Sequence, residues 1–503
     1  MQRHLITLMV FLPFIGALLQ FSWKNQVARW IALISSLAAS LCAVVLVATL
    51  HAHHPDLQAI ESIPWIGSYA VTYQMGVDGL NVLLVLLVAI VFPILVASEW
   101  NQKVGPRGMH GLLLVLQCAF FGAVCAQDVF LLFFFWALGS LPFYFLIGIW
   151  GGAERESAAF RAIVANSIGN ALVFGALILI YYSVDPHTFL LRELTGGKLI
   201  GKNFEVLGHV LPVQFLAFSL VSAGIAIRAP IWPLHGWFSH AAKEAPLSVL
   251  VVLGGISVPV SIYVFVRFCY TLFPEVMLQV APAIVWVGVV NLVIAGICAA
   301  AQKELRALLA FVCLAETGLI LIGVGSLSSA GAVGAVYQEL VLGLGLAGFG
   351  LFSGLMVDRS GHAVFLSDSG DRCFGGVAAK APMVAVVAGV VIASLLGFPG
   401  LGGFVGHALL FIGSYSDYSW AVAVAGAMLL LATYYLFAMY REVFFGLSDK
   451  RGGAHAEAFY DLTLRERGYL FPLVGALLVF GFYPKPFLNL VEPTVVTLLS
   501  LIK

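Results

Sequence analysis

Charged residues are scarce in this chain. Of its 503 residues, only 10% are charged and 61% are hydrophobic, whereas a soluble domain carries about a quarter charged residues. The 25 basic and 25 acidic residues cancel to a net charge of zero, which gives no indication of a nucleic-acid partner. This composition excludes an ordinary soluble domain and predicts an all-α polytopic membrane protein.

Signatures of cofactor and metal binding are also missing. The seven cysteines form no CxxC pair and mostly lie in apolar runs, which favours inert buried thiols over iron–sulfur or zinc ligands. The sequence has no GxGxxG after a predicted strand, no P-loop and no Ser–His–Asp arrangement. We therefore expect no cofactor and no metal in this chain.

Long apolar runs, by contrast, fill most of the sequence. The first run continues toward Trp23 without a small-residue cleavage site, which favours a retained span over a signal peptide. At about twenty apolar residues per span, the sequence predicts about fourteen transmembrane helices in a single membrane domain, 1–503. The predicted spans are 4–23, 28–50, 80–98, 109–127, 129–150, 160–183, 208–229, 246–269, 275–300, 306–326, 328–357, 381–416, 419–446 and 468–499.

Lysine and arginine are distributed unevenly between the loops. Basic residues are expected on the cytoplasmic side of a membrane. One side carries Lys24, Arg29, Lys103, Arg107, Arg155, Arg161, Lys243, Lys303, Arg306, Arg359, Arg372, Lys380, Arg441, Lys450, Arg451, Arg465 and Arg467. The other side carries Arg3, Arg192, Lys198, Lys202, Lys485 and Lys503. The even number of spans then places both termini on the non-cytoplasmic side.

Two stretches interrupt the apolar pattern. Residues 228–246 (RAPIWPLHGWFSHAAKEAP) hold three prolines and several ionisable residues, and residues 397–407 (GFPGLGGFVGH) are rich in glycine. Proline removes a backbone donor, and a broken helix is tolerated in hydrocarbon only inside protein or beside a wet cavity. We therefore expect the seventh and twelfth spans to be broken next to an ion or substrate path.

The two breaks also indicate internal repetition. Spans four to eight, residues 109–269, contain one break, and spans nine to thirteen, residues 275–446, contain the other. Broken helices at corresponding places in two halves are typical of inverted repeats. The sequence therefore predicts two inverted five-helix repeats.

A series of short motifs runs along almost the whole chain. In order, they are GVDGL at 76–80, QDVFLLFFFW at 127–136, PFYFLIGIWGG at 142–152, APIWPLHGW at 229–237, EAP at 244–246, LRALLAF at 305–311, GFPG and GFVG within 397–406, YREVFFG at 440–446, DLTLRER at 461–467 and FYPKP at 482–486. In this order and spacing the chain resembles the antiporter-like membrane subunits of NADH:quinone oxidoreductase (complex I). A single predicted helix after YREVFFG favours the chain M (mitochondrial chain 4) type over chain L.

The resemblance implies a function and a set of partners. It implies a membrane-arm subunit that contributes to proton translocation, in the plasma membrane of a bacterium, with NADH, flavin and quinone chemistry in other subunits. Two alternatives stay open: a structural subunit whose ion path has decayed, or a subunit of an Mrp-type antiporter, a membrane hydrogenase or an inorganic-carbon uptake complex. In the first alternative, the chain would occupy the same place without moving protons.

The resemblance also implies positions for a proton path. The family's paired glutamate and lysine on spans five and seven fall on Ala137 and Arg228, and its central lysine on span eight falls on Pro259. Its histidine on span ten falls on Glu316, and its acid on span twelve falls on His407. Arginine stays protonated in proteins, and alanine and proline carry no proton. The departures at Ala137 and Pro259 therefore interrupt the usual relay.

Few ionisable residues remain at the predicted membrane depth. Candidates for a rerouted proton path are Glu316, Glu339, His407, His235, His240, Lys243 and Glu244. The competing structural interpretation pairs Arg228 with Glu339 or Glu316 and makes His407 a core histidine. Asp78 and Asp128, near helix ends, are predicted to cap helices and anchor loops.

Overall fold

The computed structural model describes residues 4–102, 104–195, 197–206, 209–361, 364–366, 374–446 and 459–502. Within these ranges, twelve helices are long and apolar enough to cross a membrane. This finding confirms the predicted polytopic, mostly helical architecture. The predicted loop positions Arg3, Lys103, Arg372, Lys450, Arg451 and Lys503 lie outside the described residues.

The elements of the first half lead up to the first break. They are α1 (Leu5–Leu19), α2 (Asn25–Ala48), β1 (Gln58–Ile66), β2 (Val71–Val77), α3 (Val82–Ser98), α4 (Pro106–Cys125), α5 (Val129–Leu138), α6 (Ser140–Trp150), α7 (Arg155–Ser183), α8 (Leu191–Leu194), β3 (Asn203–Val206), β4 (His209–Pro212) and α9 (Val213–Arg228). The strands form two antiparallel hairpins, β1–β2 and β3–β4, which the apolar pattern did not predict.

The elements of the second half follow that break. They are α10 (Gly236–Glu244), α11 (Leu247–Val252), α12 (Val258–Leu272), α13 (Pro274–Ala300), α14 (Leu305–Gly325), α15 (Ser329–Ser360), α16 (Pro382–Leu395), α17 (Gly402–Phe445), α18 (Leu464–Phe482) and α19 (Lys485–Ile502). Helix α17 contains the predicted thirteenth span as well. Its backbone leaves helical geometry at Tyr418, between the predicted twelfth and thirteenth spans. The bounds of the two predicted repeats stay a prediction.

The helices that carry the candidate acids are enclosed by other helices. In the most apolar 18-residue stretch of each helix, the buried share of residues is 100% for Leu247–Leu272, 94% for Leu305–Gly325 and 94% for Ser329–Ser360. In Asn25–Ala48 and Arg155–Ser183 the buried share is only 33% and 39%. The outer helices therefore leave apolar side chains for lipid, while α14 and α15 place their polar groups in the protein interior.

Both predicted breaks are present. Helix α9 ends at Arg228 and α10 begins at Gly236, with two prolines in the seven intervening residues. Helix α16 ends at Leu395 and α17 begins at Gly402, and between them Gly397 and Gly400 adopt positive φ angles of 69° and 90°. Glycine adopts these angles without steric strain. The chain can therefore turn sharply at both points and resume a helix.

The structure also contains two irregularities that the sequence did not predict. Residues Leu253–Ser257, between α11 and α12, form a π-helical turn inside the eighth span. The fifth span is divided at Gly139, between α5 and α6. A π-helical turn inserts an extra residue into a helix and is frequent at functional sites.

The last predicted span, 468–499, is wrong. The chain forms two helices there, α18 and α19, separated at Tyr483 and Pro484. The residues at this point are Tyr483, Pro484, Lys485 and Pro486, and a lysine between two prolines favours a helix boundary that the predicted span ran through. The expectation of a single helix after YREVFFG, which distinguished chain M from chain L, is wrong for the same reason.

The β1–β2 hairpin collects contacts from distant parts of the chain. The carboxylate of Glu61 accepts hydrogen bonds from the backbone N–H groups of Ile6 and Thr7 at 2.8 and 3.1 Å. On α19, the hydroxyl oxygen of Thr494 accepts from Gly79 N–H at 3.0 Å. The start of α1 therefore docks at this hairpin, and α19 docks at the turn directly after β2.

The predicted capping role of Asp128 is confirmed, and Asp78 anchors the turn that precedes α3. Asp128 accepts hydrogen bonds from the N–H groups of Phe130 and Leu131 in the first turn of α5. Asp78 accepts from the N–H groups of Leu80 and Asn81 at 3.0 and 3.3 Å. Asp128 thus satisfies backbone donors that the start of α5 leaves without an intrahelical partner, whereas the two N–H groups that Asp78 bonds lie before α3 begins at Val82.

A glycine contact joins α13 to α14, and it leads to a testable prediction. A Cβ atom on Gly318 would lie 2.5 Å from the carbonyl oxygen of Gly288 and 2.6 Å from the backbone nitrogen of Leu292. Backbone atoms cannot rotate away, so Gly318→Ala is expected to lower the free energy of unfolding by about 1–3 kcal/mol. The measurement is thermal unfolding of the purified assembly in detergent.

The control for this prediction is Gly475→Ala in α18. A Cβ atom there meets no described heavy atom within 4 Å, and alanine favours a helix over glycine by about 1 kcal/mol. Equal unfolding temperatures for Gly318→Ala and Gly475→Ala would contradict the close backbone contact.

Candidate functional site at the second helix break

Three polar side chains meet beside the second break. Glu316 of α14, Gln338 of α15 and His407 of α17 approach one another in the protein interior. The imidazole Nε2 of His407 lies 3.1 Å from the carboxylate Oε2 of Glu316. The amide Nε2 of Gln338 lies 3.0 Å from the same oxygen and 3.1 Å from His407 Nε2. We call these residues the Glu316–His407 cluster.

Glycines at the break make room for this cluster. A Cβ atom on Gly406 would overlap the side-chain oxygen of Gln338, and one on Gly397 would lie 2.5 Å from His407 Nδ1. The positive φ angle of Gly397 also turns the chain so that α17 begins beside the end of α16. The glycines that the sequence identified as a helix break therefore bring His407 against Gln338 and Glu316.

The chemistry of the cluster allows it to hold one proton. The proton can reside on the imidazole beside an ionised carboxylate, or on the carboxyl group beside a neutral imidazole. Gln338 Nε2 donates to Glu316 in either case, and it can donate to His407 Nε2 only when that nitrogen carries no proton. Only 12% of the Glu316 side chain and 5% of the His407 side chain are exposed. A buried acid–imidazole pair of this kind is suited to accepting and releasing a proton.

Glu316 also faces a narrow apolar cleft. The cleft lies between α13, α14, α16 and α17, and Leu292, Leu319, Leu395 and Met428 line it together with Glu316. Glu316 and Tyr435 are thus the residues with polar side-chain groups along a mostly apolar cleft.

Glu339 follows Gln338 on α15 but lies on a different face of the helix. Successive helical residues are about 100° apart around the axis, so Glu339 does not join the cluster. It is 1% exposed, and neither carboxylate oxygen has a hydrogen-bond partner in the described part of the chain. A charged carboxylate in such a place is very costly, which favours the neutral, protonated form.

Close contacts between α15 and the eighth span show how far along that span Glu339 lies. A Cβ atom on Gly350 would meet the side chain of Val251, and one on Gly343 would overlap the carbonyl oxygen of Gly255. The paired residue numbers rise along one helix and fall along the other, so the helices run antiparallel. When the pairing of Gly343 with Gly255 is extended by one helical turn, Glu339 is level with Pro259, just beyond the π-helical turn.

Arg228, at the end of α9, is buried among neutral groups. Its guanidinium donates to Asn170 Oδ1 at 3.2 Å and to Ser140 Oγ at 3.3 Å, and it lies 4.2 Å from the centroid of the Trp136 ring. The predicted pairing of Arg228 with Glu339 or Glu316 is therefore wrong. Arg228 forms no ion pair with any described residue, because Glu316 binds His407 instead.

The remaining candidates near the first break do not converge on one site. His235 is half-buried, its Nδ1 has no hydrogen-bond partner among the described residues, and its ring lies 6.2 Å from that of Phe311. His240 is exposed, with its Nε2 3.2 Å from an Arg161 nitrogen. Lys243 is exposed, and Glu244 accepts a hydrogen bond from the backbone N–H of Glu154 at 3.0 Å.

Comparisons with known proteins show what kind of chain this is. The family model described as NADH:quinone oxidoreductase/Mrp antiporter, TM matches residues 126–433. This chain belongs to that family. NADH-quinone oxidoreductase subunit M of Rhodobacter capsulatus is 28% identical over 509 residues, covering 99% of this chain and 97% of the relative. NAD(P)H-quinone oxidoreductase chain 4 of Gloeobacter violaceus is 29% identical over 497 residues, covering 97% and 91%.

Solved structures of the NADH:quinone oxidoreductase/Mrp antiporter family share this fold. A chain of respiratory complex I from Thermus thermophilus with bound NADH matches with a TM-score of 0.86 and 24% identity, covering 99% of this chain and 100% of that chain. A chain of the Mrp complex from Dietzia sp. matches with a TM-score of 0.84 and 18% identity, covering 100% and 99%. The predicted resemblance to the family and the predicted fold class are confirmed.

Two positions of this family member carry residues that cannot exchange a proton. Ala137 lies in α5 beside Trp136, whose ring contacts Arg228. Pro259 lies buried in α12, just after the π-helical turn. The structure therefore places no ionisable side chain at these two points, and the candidate acids Glu316 and Glu339 lie on α14 and α15.

Sequence reasoning missed Gln338, although a signal was available. An amide next to an acid, in Tyr337–Gln338–Glu339–Leu340, stands out in an apolar span and suggests that two faces of the helix are polar. Sequence reasoning also missed Ser140 and Asn170, the partners of Arg228, because they come from spans five and six and no local pattern connects them.

Proposed function

We propose that this chain is a membrane-arm subunit of a complex I-like NADH:quinone oxidoreductase and contributes to proton translocation. The observation that carries the proposal is the buried Glu316–His407 cluster at an interrupted helix, in a member of the NADH:quinone oxidoreductase/Mrp antiporter family. Ionisable groups inside a membrane are rare and typically mark ion or proton pathways.

In this proposal the cluster exchanges a proton between Glu316 and His407. Gln338 donates to Glu316 in either protonation state, whereas its contact with His407 Nε2 is a hydrogen bond only when that nitrogen carries no proton. Arg228 supplies a fixed positive charge and does not relay protons. Glu339, held neutral by burial, provides a second group that can store a proton, next to Gln338 on the same helix.

Partners, cofactors and orientation belong to the same proposal. Electron transfer from NADH to quinone takes place in other subunits, and this chain binds no cofactor. The protein lies in the plasma membrane of a bacterium, with its basic loops in the cytoplasm. The β1–β2 hairpin is then on the non-cytoplasmic side, together with both termini.

A structural role without proton movement is the main alternative. Ala137, Pro259 and the neutral surroundings of Arg228 favour it, because they interrupt the route that the family resemblance implies. A host complex of the Mrp type is a second alternative, favoured by the fold shared with the Dietzia Mrp chain.

The test is purification of the tagged chain with its complex, followed by reconstitution into liposomes. Flavin and iron–sulfur subunits are expected to co-purify, and NADH with quinone is expected to drive proton uptake. The triple variant Glu316→Gln, Glu339→Gln, His407→Ala should assemble and oxidise NADH in the presence of an uncoupler, but should move fewer protons per NADH. The control is a triple change of exposed acids, Glu193→Gln, Glu275→Gln and Glu492→Gln.

Each alternative has its own outcome in this experiment. Unchanged proton uptake by the assembled triple variant would support the structural role. Co-purification of cation-transport subunits without any redox subunit would support a host complex of the Mrp type.

A further inference from the structure

Asn291, on α13, bridges the first helix break and the helix that carries Glu316. Its Oδ1 accepts a hydrogen bond from the backbone N–H of Trp232 at 2.9 Å, and its Nδ2 donates to the carbonyl oxygen of Leu314 at 2.7 Å. Trp232 lies between α9 and α10, and Leu314 lies in α14 two residues before Glu316. The side chain is fully buried.

The orientation of this amide is determined by its partners. A backbone N–H only donates and a backbone carbonyl only accepts, so Oδ1 must face Trp232 and Nδ2 must face Leu314. The two bonds are 2.9 and 2.7 Å long, and the asparagine side chain that makes them is fully buried. Removing the amide would leave a donor in the break and weaken the restraint on α14 at the same time.

The close packing of α13 against α14 makes the bridge possible. Gly288 and Gly318 bring the two backbones into contact, because a Cβ atom on Gly288 would lie 2.7 Å from the carbonyl oxygen of Gly318. Asn291 is one turn from Gly288, and Leu314 is one turn from Gly318. At this separation an asparagine side chain is long enough to reach across to the neighbouring helix.

The bridge completes a connection between the two breaks. In order, it runs from Trp232 through Asn291 to Leu314, then along α14 to Glu316, and from Glu316 to His407 at the second break. The other backbone N–H groups in the first break that donate to carbonyls, those of Ala229, Ile231 and Leu234, bond to carbonyls of α9 or of the break itself. The Trp232 bond thus ties the break to the second half of the protein.

We infer that Asn291 couples the two interrupted helices, so that a change of protonation or position at the Glu316–His407 cluster alters the first break, and the reverse. Asn291 is a positioning residue and does not itself carry a proton. Coupling between two sites is reciprocal, so a perturbation at either end should be detected at the other. The inference uses the proposed function only to explain what the coupling serves.

Hydrogen–deuterium exchange of the whole purified complex tests this coupling without measuring proton transport. Asn291→Leu is expected to speed exchange in peptides covering 229–235 by about fivefold or more, because the Trp232 N–H loses its buried acceptor. Exchange in peptides covering 396–401 should also increase. Faster exchange in 229–235 alone would overturn the inference.

A matched control separates coupling from the loss of a buried amide. Asn166 on α7 is also buried, but its Nδ2 donates to Ala162 O of its own helix at 2.8 Å. Asn166→Leu should therefore leave exchange in 396–401 unchanged. An equal effect of Asn166→Leu on both breaks would show general loosening and would overturn the inference.

A second variant decides the matter if Asn291→Leu does not assemble. His407→Ala, with Asn291 intact, is expected to change exchange in 229–235 as well as around residue 407. A change limited to the second break would overturn the inference. These exchange results do not depend on proton uptake. Unchanged uptake in the Glu316, Glu339 and His407 triple variant would therefore contradict the proposed function, and the coupling would still be tested by hydrogen–deuterium exchange.

Discussion

Glu316→Gln alone is expected to lower the rate of proton transfer through this chain by about two orders of magnitude, the scale at which a positioned acid or base contributes. Glutamine has the shape of glutamate and can still bond Gln338 and His407, which lie 3.0 and 3.1 Å away. It cannot take up a proton at neutral pH. The loss should therefore be functional, with assembly and uncoupled NADH oxidation retained.

The measurement is proton uptake per NADH oxidised in reconstituted liposomes, with Glu275→Gln as the control. Glu275 is exposed at the start of α13 and remote in sequence from the cluster, so its replacement should leave uptake unchanged. Wild-type uptake by an assembled Glu316→Gln complex would contradict a proton-carrying role for the cluster and would favour the structural role.

Breaking the buried ion pair between Asp78 and Arg267 is expected to give the largest loss of stability. The two terminal guanidinium nitrogens of Arg267, Nη1 and Nη2, each donate to the Asp78 carboxylate at 2.7 Å. The side chains of Arg267 and Asp78 are only 5% and 7% exposed. Arg267 also donates to the Tyr263 hydroxyl at 3.2 Å. Asp78→Asn leaves the arginine buried without its counter-charge, which should lower the free energy of unfolding by about 3–5 kcal/mol.

Unfolding of the purified assembly by heat or denaturant measures this effect. The double variant Asp78→Asn, Arg267→Met should regain part of the lost stability, because the buried charge is gone. The exposed pair Arg441–Glu442 provides the control, and Glu442→Gln should change stability by less than about 1 kcal/mol. A similarly small effect of Asp78→Asn would contradict the importance of the buried pair.

Much of the architecture followed from the sequence because the relevant physics is local. A long apolar run must form a helix in hydrocarbon, since its backbone groups have no other partners. Proline and glycine interrupt that helix wherever they occur together, which is why the breaks after Arg228 and before Gly402 were predicted. Helix caps such as Asp128 follow the same logic, because the carboxylate and the N–H groups it accepts from are two and three residues apart.

Other features depended on residues that are remote in sequence. The two hairpins were missed because their short strands carry no strong apolar signal, and the division of the last predicted span into α18 and α19 was missed although Pro484, Lys485 and Pro486 mark it. The partners of Arg228 could not be predicted either. Several interior acids could have supplied a counter-charge, but helix packing places Ser140 and Asn170 within hydrogen-bond distance of Arg228.

The sequence by itself determined that this is a polytopic membrane protein with two broken helices, and which few ionisable residues lie in its interior. The tertiary structure decided which of them meet: Glu316 with His407 through Gln338, Arg228 with neutral groups, and Glu339 with no described hydrogen-bond partner. The physical reason is the separation along the chain over which each interaction acts. Hydropathy and backbone geometry act over a few neighbouring residues, whereas a hydrogen bond between helices depends on how the whole bundle packs.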